Sequence, residues 1–332
     1  MKPDELLRRI VRKIRRILRR RKYLAVLAGI CVLFILVIAL VIAGAVRKRR
    51  QPEEDVMVPG ITERIPESTL QEIIASEAPI DPGRETYTYL DQAGNLFTAA
   101  LDTEAIACAY DQSGFYRDGG LFYYEDANYT CEQGIDVSSY CGEIDWTKVR
   151  NDGIKFAFIR IGYRGYTEGG IFIDSMFDSY IRGAASNGIE TGVYFFSQAT
   201  SEGEAIEEAD FVIDQLKRYH ITLPVVFDEE NVGEPDARTN TITDTQFTKN
   251  AKAFCERIKD AGYQPAVYCN EFWQAYRLDM SEFNDTLIWL ADFRDYPQSP
   301  YHYEYWQYTY KGKVDGIPED VTVDRNIRFI KK

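Results

Sequence analysis

The hydrophobic pattern changes character three times along the chain. Residues 23–46 form an unbroken run of 24 residues without a charged side chain. As a helix, at ~1.5 Å per residue, the run reaches about 36 Å and exceeds the ~30 Å hydrocarbon core of a bilayer. It predicts a transmembrane helix. Upstream, Arg8, Arg12, Arg15 and Arg19 alternate with Leu6, Leu7, Ile10, Val11, Ile14, Ile17 and Leu18 at roughly helical spacing. That fits an amphipathic helix on a membrane surface, or an extension of the spanning helix into the cytosol. Residues 47–85, rich in Glu, Pro and Arg, show no sustained periodicity and read as a linker or stalk. Residues 86–131 carry short strand-like runs, Tyr87-Thr88-Tyr89-Leu90, Asn95-Leu96-Phe97-Thr98 and Leu121-Phe122-Tyr123-Tyr124, with turn chemistry at Ala93-Gly94-Asn95 and Asp118-Gly119-Gly120. A small β-rich extension is predicted, free-standing or packed on the main domain, and its role is not legible.

From residue 134 onward strand and helix patterns alternate. Predicted strands cover 134–139, 156–162, 190–197, 224–228, 264–269, 287–292 and 305–309, with a short last one near 321–324. Ser201-Glu202-Gly203-Glu204 and Thr243-Asp244-Thr245-Gln246 are capping-box patterns before helices over 205–219 and 247–261. Repeated βα units imply parallel strands. About eight strands in ~200 residues suggest an α/β barrel with fewer helices late in the chain, and such barrels place their chemistry at the C-terminal strand ends. Several acids fall there: Asp136, Asp228, Glu230, Asp292 and Asp324.

One strand end stands out. Leu223-Pro224-Val225-Val226-Phe227 runs straight into Asp228-Glu229-Glu230. With a side-chain period of two, Asp228 and Glu230 share a face and Glu229 points away. Two carboxylates on one face at a strand end are the equipment of a glycosidase. On this motif alone, an acidic loop following a strand is an equal reading.

Charge sharpens the division. The whole chain carries −13 and residues 1–50 carry +13, so the remainder carries −26. Arg8, Arg9, Arg12, Lys13, Arg15, Arg16, Arg19, Arg20, Arg21 and Lys22 precede the apolar run, against Arg47, Lys48, Arg49 and Arg50 after it. The larger basic excess predicts residues 1–22 as a cytoplasmic segment, residues 23–46 as a single-pass anchor in the cell membrane, and an extracellular remainder. Ala43-Gly44-Ala45 faintly resembles a cleavage site, but the run is longer than a signal peptide's apolar core and an uncleaved anchor is expected. Basic residues beside a spanning helix follow from topology and lipid attraction and do not point to nucleic acid. Only His220 and His302 are present, and Cys31, Cys108, Cys131, Cys141, Cys255 and Cys269 show no zinc spacing. A metal site or a Ser-His-Asp triad is therefore poorly supported, and no cofactor is expected. Cys108 is expected to pair with Cys131 or Cys141.

Taken together, the motifs resemble glycoside hydrolase family 25, the N-acetylmuramidase lysozymes. They are Gly134-Ile135-Asp136-Val137-Ser138-Ser139-Tyr140 with Ile144-Asp145-Trp146; Phe156-Ala157-Phe158-Ile159-Arg160-Ile161-Gly162-Tyr163; Gly192-Val193-Tyr194-Phe195-Phe196; Asp228-Glu229-Glu230; Trp306-Gln307-Tyr308; and Val323-Asp324-Arg325-Asn326. The resemblance covers residues 132–331. It implies a barrel of five βα units followed by three strands, and cleavage of the β-1,4 bond between N-acetylmuramic acid and N-acetylglucosamine in peptidoglycan. It also implies Glu230 as general acid, Asp228 as second carboxylate, and Asp136 and Asp324 as acids completing the cleft floor. Cys141 departs from the family's frequent Gln, which bears on local substrate contacts. A wall-binding module without catalysis and a chitinase-like enzyme are the rival readings. The four acids speak against the first, and Val225 and Val226 upstream of Asp228 against the second.

The chemistry is consistent with those roles. A leaving glycosidic oxygen needs a proton, and crowding by Asp136, Asp228 and Asp324 together with burial is expected to keep one on Glu230. Tyr163, Tyr194, Phe196, Tyr268, Trp289, Trp306, Gln307 and Tyr308 fall at or near strand ends as candidate sugar contacts, with Tyr163 and Tyr194 favoured for the cleft wall. Ordinary barrel packing explains any one of the rings as well. For Arg160 a buried ion pair with a cleft acid is expected as often as not.

Overall fold

The computed structural model describes residues 80–91 and 94–332. The predicted cytoplasmic segment and anchor, and the linker up to residue 79, lie outside the described residues. Among the described residues no helix is long and apolar enough to cross a membrane.

Eight strands close a barrel. In chain order they are β5 (Tyr129–Val137), β6 (Phe156–Arg164), β8 (Glu190–Ser197), β9 (Val225–Glu229), β10 (Pro265–Asn270), β11 (Leu287–Ala291), β12 (Tyr305–Gly312) and β13 (Val323–Lys331). All run parallel except β13, which is antiparallel to both β12 and β5, and a β5–β6 pairing shuts the ring. A short strand, β7 (Ile171–Ile173), hangs on the upper edge of β6. Five helices follow the first five barrel strands: α1 (Trp146–Asn151), α2 (Phe177–Ser186), α3 (Glu202–Leu216), α4 (Asp244–Asp260) and α5 (Glu271–Tyr276). The last three strands have none, so five βα units precede three strands, as expected.

The caps act where the sequence placed them. Ser201 Oγ accepts from the Glu204 amide at 3.4 Å and Thr243 Oγ1 from the Gln246 amide at 3.2 Å. The Glu204 carboxylate reaches back one residue further than a capping box requires, to the Thr200 amide.

Period two sorts the side chains into two layers. Phe156, Phe158, Val226, Ala266, Tyr268, Trp289 and Tyr305 fill the barrel interior. Space for the rings comes from glycines on neighbouring strands. A Cβ on Gly134 would lie 2.3 Å from the Phe156 ring, and one on Gly192 2.6 Å from Phe158. Ile135, Ile159, Val193, Phe227, Val267 and Leu290 face outward beneath the helices.

Residues 86–131 are not a free-standing appendage: they pack on this barrel, and their last three residues open β5. Two hairpins, β1 (Thr86–Leu90) with β2 (Leu96–Ala100) and β3 (Phe115–Asp118) with β4 (Leu121–Tyr124), lead into β5. The second covers the side where β12 and β13 lack helices, and the first lies against α5, whose Tyr276 hydroxyl donates to the Thr98 carbonyl. Tyr110 stacks on Phe329 with ring centroids 3.9 Å apart, and Phe122 packs on Trp306 and Tyr308 at 5.1 and 5.3 Å. Gln133 Nε2 donates to the Phe122 carbonyl at 2.6 Å.

Two sequence expectations need correction. The last strand is not a short piece near 321–324 but a nine-residue strand pairing with β5 from Asp324 to Lys331; its alternating charges hid it. The expected Cys108 disulfide is absent, and Cys108, Cys131 and Cys141 are free thiols. Cys108 turns to the Tyr110 carbonyl, the Cys131 sulfur accepts from the Tyr124 amide at 3.1 Å, and Cys141 is buried in the loop after β5.

Candidate active site

The acids predicted from strand ends gather at one mouth of the barrel. Asp136 and Asp324 are directly opposite each other on β5 and β13. Asp228 points inward from β9, in register with Phe196 on β8 and Tyr268 on β10. Glu230 follows the end of β9, and its backbone carbonyl is held by Gln198 Nε2 at 3.1 Å. Among the charges acting on the inward-facing Tyr268 hydroxyl, that of Glu230 is the largest, so it faces the same space. Asp292, the remaining strand-end acid, is elsewhere engaged: it forms a two-pronged pair with Arg294 at 2.9 and 3.0 Å.

A polar network fixes the floor. Asp136 Oδ2 accepts from Gln307 Nε2 at 2.9 Å and from Asn326 Nδ2 at 2.8 Å. Gln307 Oε1 in turn accepts from the Tyr268 hydroxyl at 2.9 Å, and Asn326 Oδ1 from Trp289 Nε1 at 2.8 Å. Both amides are oriented by a ring deeper in the barrel, so each presents its NH₂ to the acid. Asn326 was missed as a site residue, although its spacing of two from Asp324 already placed it on the same face.

Electrostatics follow from burial. Desolvation pushes the Asp136 carboxyl up to about 6, against the pull of its two amide donors. Asp228 and Asp324 are raised well above the carboxylate range, first by burial and then by the charge of Asp136. Arg160 pulls Asp228 the other way. Crowding of the kind predicted around Glu230 acts on Asp228 and Asp324. Because native Asp136 keeps its proton to a higher pH than the unfolded chain, whose aspartates titrate near ~3.9, it contributes a stability loss between about pH 4 and 6. Asp136→Asn keeps an acceptor for both amides and is expected to gain on the order of 2 kcal/mol over wild type at pH 7 but little at pH 4. Urea denaturation at the two pH values measures this.

Arg160 is buried, and its ion pair is with Asp174, at 2.8 Å, an acid of the loop after β7 that was not foreseen. Asp174 also accepts from the Ser139 amide at 3.1 Å, and Arg160 Nη2 donates to Ser139 Oγ at 3.2 Å. The guanidinium lies 5.2 and 5.3 Å from the ring centres of Tyr140 and Tyr163. A bulge between Arg160 and Gly162 turns both Arg160 and Tyr163 inward.

The aromatic candidates divide. Tyr194 and Phe196 are half-buried at the mouth, while Tyr163, 7% exposed, is partly covered by Phe172. Tyr268 and Trp289 lie in the floor, with Trp289 stacked on Phe158 at 4.5 Å. Trp306 does not belong to the cleft. Adjacent to the inward Gln307, it must face outward, where it is fully buried against Phe115 and Phe122 and donates to the Asp292 carbonyl at 2.6 Å. Tyr308 shares that outer face, its hydroxyl on Gln133.

A parallel-stranded barrel with carboxyl groups converging at its C-terminal mouth is a glycosidase architecture. Residues 135–317 match the glycosyl hydrolases family 25, and the chain belongs to that family. It is 30% identical to Lysozyme M1 of Streptomyces globisporus, over 58% of this chain and 66% of that protein. It is equally identical to the uncharacterized protein YegX of Escherichia coli K12, over 59% of this chain and 70% of YegX. The modular autolysin LytC from Streptococcus pneumoniae, solved in complex with a synthetic peptidoglycan ligand, has the same fold, with a TM-score of 0.54 at 23% identity over 74% of this chain. The chain spans 56% of that autolysin's length.

Proposed function

We propose that this glycosyl hydrolase is a muramidase that cuts the β-1,4 bond between N-acetylmuramic acid and N-acetylglucosamine in peptidoglycan. The observation that carries the reading is the convergence of Asp136, Asp228 and Asp324 with Glu230 at one barrel mouth, on a family 25 chain with a lysozyme relative. Glu230 protonates the departing glycosidic oxygen. Asp228 faces the developing oxocarbenium-like centre and either stabilises it directly or orients the substrate's 2-acetamido group as nucleophile. Asp136, locked by two amides, and Asp324 hold the floor. Tyr194, Phe196 and Tyr163 offer flat faces to sugar rings.

From the charge pattern alone we further propose that residues 23–46 anchor the enzyme in the cell membrane, N-terminus inside, with the barrel outside. A tether restricts cleavage to wall within reach of the linker, which suits local remodelling.

Purified peptidoglycan incubated with the enzyme is expected to yield new reducing ends, while soluble chitin oligomers stay intact. Binding to walls without release would instead favour a non-catalytic module, and cleavage of chitin oligomers a chitinase-like enzyme.

A further inference from the structure

Glu229 sits between the two carboxylates assigned to catalysis but faces the opposite way, out of the barrel, where Glu208 and Glu204 of α3 act on it. It is 3% exposed, and no hydrogen-bond donor among the described residues reaches either of its carboxyl oxygens. An ionised carboxylate without a donor is among the costliest groups to bury. Near it, from α3, lies Glu208, fully buried, whose Oε1 accepts from Arg164 Nε at 2.6 Å. A carboxyl buried with no donor on either oxygen is held at least cost as the neutral acid.

We propose that Glu229 is held as the neutral acid beside Glu208, and that neutral Glu229 is a positioning residue for the strand end bearing Asp228 and Glu230. The assignment of the charge follows from the surroundings. Burial raises Glu208 to about 7, but Arg164, the Ser197 hydroxyl and the Gln198 amide each pull it back toward its ionised form, and Glu229 has no such group. Glu229 faces only further negative groups, Glu208 foremost, then Asp228 and Glu204. Of the other acids on α3, Glu207 pairs with Arg164 at 2.8 Å and Glu204 with Arg238 at 2.7 Å. From α4 the groups near this side are Phe254, against Phe227, and Asn250, which donates to the Ala199 carbonyl at 2.7 Å. From β10 the buried Cys269 thiol follows Tyr268, and burial holds it in its neutral form. Burial, reinforced by Glu208, raises Glu229 well above the carboxylate range, which agrees with the geometry.

The consequence for the site is direct. Ionisation of Glu229 would put a second uncompensated charge one residue from Asp228 and push the end of β9 off α3. Gln198, which holds the Glu230 carbonyl, lies on the loop leading into that same helix.

The test uses the full chain with Glu229→Gln and, separately, Glu229→Met. Since native Glu229 holds its proton while the unfolded chain releases it above ~4.3, wild type loses stability as pH rises from there, and a neutral side chain does not. The Tm of both variants is expected to match or approach wild type near pH 4 and to exceed it at pH 8 by about 4 °C or more. The infrared band of a protonated carboxyl is expected at pH 7 in wild type and to diminish in Glu229→Gln. A Tm difference that does not change with pH, an undiminished band, or failure of both neutral variants to fold would overturn the proposal. A further readout rests on the reading of Glu230 as general acid: the alkaline fall of kcat is expected to approach two protons in wild type and one in Glu229→Gln. Because Tm and the infrared band need no substrate, they stand even if the muramidase reading fails.

Discussion

Glu230→Gln is expected to lower the release of reducing ends from peptidoglycan by about 10²–10⁴-fold, the usual contribution of general acid catalysis, with wall binding retained. The amide matches the carboxyl in shape and can still donate a hydrogen bond, but it cannot transfer a proton to a leaving oxygen. Glu230 lies beyond the last residue of β9, so the substitution leaves the strand ladder intact. A drop in kcat with KM nearly constant is therefore expected, the signature of an interaction made only in the transition state. Steady-state kinetics on a soluble muropeptide polymer distinguish this from a structural loss, which would move Tm as well. A variant retaining a tenth or more of wild-type turnover would remove Glu230 from the acid role.

Removing residues 80–131 is expected to abolish cooperative folding of the barrel. Their aromatics occupy the position that helices hold elsewhere around the ring. Without them Trp306, Tyr308 and Phe329 would face water, having lost Phe122, Phe115, Tyr124 and Tyr110. Truncating even one buried Phe or Trp costs about 3–5 kcal/mol, and a whole domain is stable by only about 5–15 kcal/mol. Losing four such contacts at once exceeds that margin. Thermal unfolding of a chain starting at residue 132, compared with one starting at residue 80, measures the effect. A cooperative transition for the shorter chain within a few degrees of the longer one would show that the hairpins are dispensable. Phe122→Ala is the milder version and removes the contacts with Trp306 and Tyr308.

Legibility in the sequence followed the strength of local signals. Strand 190–197 is found residue for residue, and β9 and β10 differ from their predicted spans by one, because apolar runs bounded by turns and caps leave little choice. Strand β13 was truncated in prediction because Arg325, Asn326 and Arg328 break its apolar pattern; each is polar for a tertiary reason. Arg325 pairs with Asp152, Asn326 serves Asp136, and Arg328 pairs with Glu132. Strand ends and period two, being local, brought forward Asp136, Asp228, Glu230 and Asp324 together with Asp292, which pairs with Arg294 instead, and only the family resemblance set the four apart. Asp174 could not be named in advance, since its partnership with Arg160 depends on the bulge in β6 and on a loop conformation no spacing rule supplies. Naming both Trp306 and Gln307 as sugar contacts broke the alternation rule itself, and the fold enforces it. The covering role of residues 86–131 was unreadable for a different reason: it exists only because three strands of the closed barrel lack helices.

The central claim is that the acids at the barrel mouth cut the glycan on the reducing side of N-acetylmuramic acid. Mass spectrometry of the fragments released from purified peptidoglycan tests it most directly, after borohydride reduction marks the new chain end. Fragments ending in reduced N-acetylmuramic acid are expected, and they should be missing with Glu230→Gln. Fragments ending in reduced N-acetylglucosamine, or an undiminished yield from that variant, would contradict the account.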